Sequence, residues 1–241
     1  MGATFTWLGH ATVELKLADG RVVFIDPWMT GNPSCPADRR EPHRCDLIVL
    51  THGHADHIGD VDRLVASFNA PVITNYDLCA ALRTQTPNAE YIGMNTGGTV
   101  AWQDLKISLT RAYHSSAIET PDGLLYGGMP NGVILQAPGL ATLYHAGDTD
   151  VFSDMKLIAE LYKPAIALLP IGDRFTMGAE GAALAARFVG AGCIVPIHYG
   201  TFEILAPDAE AFRAALPEQL KSSLCVASPG RPLNWTATGL A

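Results

Sequence analysis

The stretch Thr51-His52-Gly53-His54-Ala55-Asp56-His57-Ile58-Gly59-Asp60 packs three imidazoles and a carboxylate into six consecutive positions, directly after the apolar run Leu47-Ile48-Val49-Leu50. Imidazole nitrogens and carboxylate oxygens are donors that divalent transition metals take up near neutral pH, so this density reads as a metal site rather than as a solvated loop. In an extended segment residues two apart point to the same side. His52 and His54 can therefore grip one cation, while Asp56 and His57, past a change of direction, can grip a second. Gly53 and Gly59 permit the tight backbone path that such a loop needs. Two cations a few ångström apart bring the pKa of a shared water from ~15.7 towards neutrality, which makes hydroxide available as a nucleophile. Asp56 would orient it and accept its proton.

Further donors recur where strand-like runs end: His114, Asp148 and His198. The elements that must carry them can be read from patterning. Residues 4–8, 12–17 and 22–25 read as strands, and Asp26-Pro27 ends the third. Residues 28–44 form a loop rich in Pro, Gly, Asn and Arg, either a substrate-side flap or a loop packed by its own side chains. Residues 47–50 read as a strand buried on both faces. Helices are expected over 61–68, 77–83, 155–162, 179–189 and 208–216. Strands are expected at 71–74, 105–109, 132–136, 141–145, 166–170, 194–197 and 223–227. That order fits α/β architecture with two sheets packed face to face and helices outside, in a single domain over residues 1–241.

Composition narrows the function classes. A net charge of −8, with no Lys/Arg-rich run, provides no basic field for a nucleic-acid backbone or an anionic membrane. No uninterrupted apolar stretch reaches the ~18 residues of a membrane span, and no signal segment opens the chain, so a cytoplasmic location is expected. Cys35, Cys45, Cys79, Cys193 and Cys225 are scattered and odd in number, which fits reduced thiols. The composition is compatible with a homo-oligomer.

The H-x-H-x-D-H loop followed by His114, Asp148 and His198 resembles the metallo-β-lactamase superfamily, from about Thr4 onwards. Trp7-Leu8-Gly9-His10-Ala11, Asp26-Pro27, His145-Ala146-Gly147-Asp148-Thr149, Leu169-Pro170-Ile171-Gly172-Asp173, Phe175-Thr176-Met177-Gly178 and Pro196-Ile197-His198-Tyr199-Gly200-Thr201-Phe202 are similar to its branch of metal-dependent hydrolases related to ascorbate-6-phosphate lactonase. The resemblance implies a four-layer αββα sandwich. It also implies a first metal on His52, His54 and His114, a second on Asp56, His57 and His198, and Asp148 bridging. Donors without thiolate suit Zn²⁺ most, and also Mn²⁺ or Fe²⁺. Two-zinc β-lactamases usually carry a Cys at the second metal; no cysteine here sits in a ligand stretch, which argues against β-lactam substrates.

Asp26, at the end of its strand, is expected to orient a ligating imidazole. His10 divides evenly between that role and structural packing. His145 reads as a hydrogen-bonded core histidine and His43 as solvated. Arg174 and Thr176 are the expected contacts to a small, anionic substrate, with Tyr199 and Phe202 as pocket walls. The chemistry expected is hydrolysis of an ester, lactone or phosphodiester. The alternatives are a metal-dependent nuclease, disfavoured by the acidic balance, and a non-catalytic, metal-stabilised ligand-binding protein.

Overall fold

In a computed structural model that describes residues 2–241, the apolar runs 22–25, 47–49 and 72–75 become neighbouring parallel strands because each must hide two faces. In chain order the strands are β1 (Thr4–Trp7), β2 (Val13–Lys16), β3 (Val22–Ile25), β4 (Leu47–Val49), β5 (Val72–Asn75), β6 (Tyr91–Met94), β7 (Thr99–Trp102), β8 (Leu105–Arg111), β9 (Ala117–Thr120), β10 (Gly123–Tyr126), β11 (Asn131–Gln136), β12 (Leu143–His145), β13 (Ile166–Pro170), β14 (Cys193–Ile197) and β15 (Leu233–Asn234). The helices are α1 (Ala55–Ile58), α2 (Val61–Phe68), α3 (Tyr76–Arg83), α4 (Met155–Tyr162), α5 (Ala179–Val189), α6 (Glu210–Ala215) and α7 (Glu218–Lys221). One sheet runs β15-β1-β2-β3-β4-β5-β6, the other β14-β13-β12-β11-β8-β7, and β9-β10 form a separate hairpin.

Period-two alternation sorts the first sheet's side chains. Phe5, Val13, Leu15, Val23, Ile25, Leu47, Val49 and Ile73 face Ile107, Leu109, Val133 and Leu135 of the second sheet in one core. Phe24, Ile48 and Val72 turn the other way, against Leu64 and Val65 of α2 and Leu78 and Leu82 of α3. Helices α4, α5 and α6 cover the second sheet, and Ala182, Ala185 and Ala186 let α5 sit close. The order helix, sheet, sheet, helix is the sandwich expected from the sequence.

Several expectations need correcting. Residues 223–227 form no strand; Leu224 makes a single bridge to Ile194, and the Cys225 N–H donates to the Ile194 carbonyl at 2.8 Å. The β6 and β7 strands, the β9–β10 hairpin, β15 and the short helices α1 and α7 were not anticipated. The 28–44 loop is both a wall and a packed loop. Trp28 lines a cleft, Met29 and Cys35 are buried, and Asp60 accepts hydrogen bonds from the backbone N–H of Met29, the N–H of Thr30 (2.8 Å) and its hydroxyl (2.6 Å).

Three cross-sheet ties hold the rim where the parallel strands end. The Asn131 N–H donates to the Thr51 carbonyl (3.0 Å) and the His198 N–H to the His10 carbonyl (2.9 Å). His145 supplies the third tie, its Nε2–H donating to the Ala11 carbonyl at 2.8 Å.

Candidate metal centre

Each expected donor lies just beyond the C-terminal end of a strand. Asp26 follows β3, His52 and His54 follow β4 and lead into α1 with Asp56 and His57, His114 follows β8, Asp148 follows β12 and His198 follows β14. The two rims meet, so donors far apart in the chain converge. Ligand atoms of His52, His54 and His114 lie within 4.8 Å of one another, as do those of His10, Asp56, His57 and His198. Asp148 sits between the sets. Its Oδ2 is 4.0 Å from His52 Nε2, 3.4 Å from His57 Nε2, 3.6 Å from His114 Nε2 and 3.0 Å from His198 Nε2.

The far side of the imidazoles fixes which nitrogen faces the centre. Asp26 is fully buried and accepts only: from the Thr51 N–H at 2.8 Å, the Thr51 hydroxyl at 2.6 Å and His57 Nδ1–H at 2.7 Å. The Thr51 oxygen, its proton committed to Asp26, accepts His52 Nδ1–H at 2.9 Å. With Nδ1 committed to these acceptors, both imidazoles turn Nε2 inward. Asp26 also falls within 4.8 Å of His52 and His57 as a possible donor set, but its oxygens are already committed to these donors, so it orients ligands rather than binding a cation. His54 Nδ1 lies 2.9 Å from His52 Nε2, and its Nε2 is hydrogen-bonded with the Ser115 hydroxyl at 3.3 Å.

His10 does both things expected of it. Its ring is buried, Nε2–H donates to Asp56 Oδ2 at 3.1 Å, and Nδ1 meets the Thr201 hydroxyl at 3.1 Å. Burial pushes this imidazole down to about 4, an effect the bond to Asp56 only partly offsets. His145 is the hydrogen-bonded core histidine expected: its Nδ1 accepts the Gly147 N–H at 3.1 Å and so shapes the turn before Asp148. His43 is exposed.

The carboxylates and imidazoles of the cluster stabilise one another. Burial would raise Asp148, yet the His198 and His57 imidazoles hold it well below the usual carboxylate range. Burial would likewise depress His57, but Asp148 and Asp26 outweigh it and raise it well above an ordinary histidine. His57 Nε2, Asp148 Oδ1 and His198 Nδ1 are buried without a hydrogen-bond partner. Unpaired buried polar atoms cost roughly 1–3 kcal/mol each, and a metal ion would satisfy those that face the centre. His10, Asp26 and His198 have φ of 53°, 49° and 60°. Three non-glycine residues in left-handed backbone at one site mark strain retained for position, of about 1–2 kcal/mol apiece. Gly172 makes room for the last of them, since a Cβ there would lie 2.2 Å from the His198 carbonyl oxygen and 2.8 Å from its Nδ1.

The centre opens into a cleft of about 460 Å³, lined by the donors together with Trp28, Ser115, Glu119, Phe175 and Phe202. Two expected substrate contacts are displaced. Arg174 is exposed and Thr176 half-buried, and neither lines the cleft; Phe175 between them does. Tyr199 stacks on Trp7 at 5.3 Å and belongs to the core, whereas Phe202 is a wall as expected. Trp28, Thr51 and Glu119 had no sequence signal beyond their neighbourhood.

Face-to-face sheets with a histidine–aspartate cluster on their common rim define a metal-dependent hydrolase of the metallo-β-lactamase fold. A family model described as a beta-lactamase superfamily domain matches residues 21–199. A UPF0173 metal-dependent hydrolase of Azorhizobium caulinodans is 48% identical over 218 residues, covering 88% of this chain and 91% of that protein. One of Methanosarcina barkeri is 38% identical over 234 residues, covering 97% and 99%. Among solved structures, Igni18, a metallo hydrolase from Ignicoccus hospitalis, superposes with a TM-score of 0.83 at 34% identity, covering 97% of this chain and 98% of that one. The chain belongs to the beta-lactamase superfamily and, within it, to the UPF0173 metal-dependent hydrolases.

Proposed function

We propose that the chain, a single domain, holds two divalent cations and hydrolyses an ester, lactone or phosphodiester bond of a small substrate. One cation would lie on His52, His54 and His114, the other on Asp56, His57 and His198, with Asp148 bridging. The observation that supports this reading most is the position of Asp148, one of whose oxygens lies within 4.0 Å of four imidazole nitrogens. An all-nitrogen and oxygen donor set favours Zn²⁺ and admits Mn²⁺ or Fe²⁺. Such a pair supplies, when bound, a Lewis acid that brings water towards ionisation at neutral pH and polarises the bond to be cleaved.

The chain's own residues supply position. Asp26 and Thr51 hold the His52 and His57 rings with the correct nitrogen inward. His10 holds Asp56, whose side chain is 28% exposed and lines the cleft. Burial would raise Asp56, but the His10 hydrogen bond and His57 lower it below the usual carboxylate range and keep it ionised, so that it can accept a hydrogen bond from, and orient, water entering the cleft. Trp28 and Phe202 stack at 5.7 Å and make one wall of the cleft apolar. A cleft without lysine or arginine, in a chain of net charge −8, speaks for a small molecule over nucleic acid. No described helix is long and apolar enough to cross a membrane, and five unpaired cysteines fit a reducing, cytoplasmic setting.

The test is elemental analysis of fully active protein purified without added metal. About two moles of divalent metal per chain is expected; one mole per chain at full activity would refute the paired site.

A further inference from the structure

The cleft carries an asymmetry that the hydrolase reading does not require. Apart from the donors, Ala55 and Ser115, its walls are the rings of Trp28, Phe175 and Phe202 and the carboxylate of Glu119, and no lysine or arginine contributes among the described residues. Phe175 is 55% and Phe202 41% exposed, so large apolar rings stay wetted around a polar centre. Such surface is normally covered by a partner or ligand. The two arginines near the centre do not supply a counter-charge. Arg174 is exposed and outside the lining. Arg111 lines a neighbouring depression that shares His114, and it is paired with Asp154. Glu119, on β9, is therefore the one charged wall residue that is not a donor.

We propose that the enzyme selects substrates whose group beside the bond to be cleaved is aromatic or aliphatic and uncharged or cationic, with Glu119 rejecting a negative charge on that side, away from the two proposed cations. This rests on the hydrolase reading above and narrows it, replacing the anionic substrate expected from Arg174 and Thr176 with one whose group beside the scissile bond carries no negative charge. A hydrophobic wall takes the apolar group, while Glu119 repels a carboxylate or phosphate placed beside it.

The metal-loaded enzyme is assayed on three esters matched in length: 4-nitrophenyl pentanoate, mono-4-nitrophenyl succinate and 4-nitrophenyl 4-(trimethylammonio)butanoate. The neutral and cationic esters should exceed the succinate in kcat/KM by about tenfold, the effect of one like charge at roughly 6 Å behind partial screening. Glu119→Lys should close or invert that ratio, with Glu119→Gln between. Equal turnover of the succinate by the wild type, or a ratio unmoved by Glu119→Lys, overturns the proposal. If no ester is turned over, the ester-hydrolysis reading fails separately. The matched 4-nitroanilides, followed by quenching of tryptophan fluorescence, then decide the charge preference: the same order of affinities supports it and equal affinities overturn it.

Discussion

Asp26→Asn changes one buried atom, and the hydrogen-bond network dictates a large effect. The amide keeps one oxygen for the Thr51 N–H, but its NH₂ replaces the oxygen that accepts from the Thr51 hydroxyl and His57 Nδ1–H. To avoid opposed donors, His57 must move its proton to Nε2, and Thr51 must turn its hydroxyl towards His52 Nδ1, which moves the His52 proton to Nε2 as well. Both imidazoles would then present a protonated nitrogen to the centre. Two hydrogen bonds to a charged acceptor are lost at about 1.5–3 kcal/mol each, hence roughly 3–6 kcal/mol shared between folding and metal binding. With tenfold per 1.4 kcal/mol, metal affinity should fall at least about a hundredfold, the upper end of what partners of ligating histidines usually contribute. A competition titration of metal-free protein against a chromophoric chelator measures the affinity, and circular dichroism of the same sample checks the fold. Affinity within about threefold of wild type in a folded variant would refute the assignment of Asp26 as the residue that sets both tautomers.

Other substitutions test neighbouring steps. Asp148→Ala and His54→Ala should each abolish hydrolysis with far-ultraviolet circular dichroism unchanged; turnover within a few-fold of wild type would remove them from the centre. Gly147 has φ 65°, and a Cβ there would meet the Asn131 carbonyl at 2.6 Å, so Gly147→Ala should lower stability by about 2 kcal/mol or more and weaken metal binding through the shifted Asp148. Denaturation midpoints and the same chelator titration read both effects. Burial would raise Asp60, but hydrogen bonds from Thr30 and Met29, with Arg63, leave it below the usual carboxylate value. The unfolded chain then binds the proton more tightly than the folded one, so this stabilisation is complete above the ordinary carboxylate pKa of about 3.9 and fades as pH falls through the depressed folded value. Asp60→Asn should cost about 2–4 kcal/mol at pH 7 in urea denaturation, and the gap to wild type should close below about pH 4.

Much of the centre was legible because its donors obey local rules: a dense loop after an all-apolar strand, and single donors at later strand ends. The helices over 61–68, 155–162 and 179–189 were readable to the residue because apolar spacing is steady and Asn69, Lys163 and Gly190 close them in left-handed conformation. The β9–β10 hairpin was missed although Pro121-Asp122-Gly123 is a turn signal, since Leu124 and Tyr126 stay exposed and give no buried alternation. Residues 223–227 carry strand-like composition but make only one bridge. His10 could not be assigned from spacing, because one ring nitrogen meets Thr201 in the interior and the other meets Asp56 at the cleft. Arg174 and Thr176 are suggested by the branch resemblance and by chemical type, whereas in the folded chain Phe175 between them lines the cleft. Glu119 and Trp28 become wall residues only once the hairpin and the 28–44 loop are folded against the rim.

Each proposed donor set mixes the two sheets: His52 and His54 need His114, and Asp56 and His57 need His198. If each set holds a cation as proposed, a nascent chain cannot complete the second set until β14 has docked, because His198 is the final donor to be synthesised. Cation retention would then report on assembly, and a molecule with β14 misdocked would betray itself by surrendering a metal.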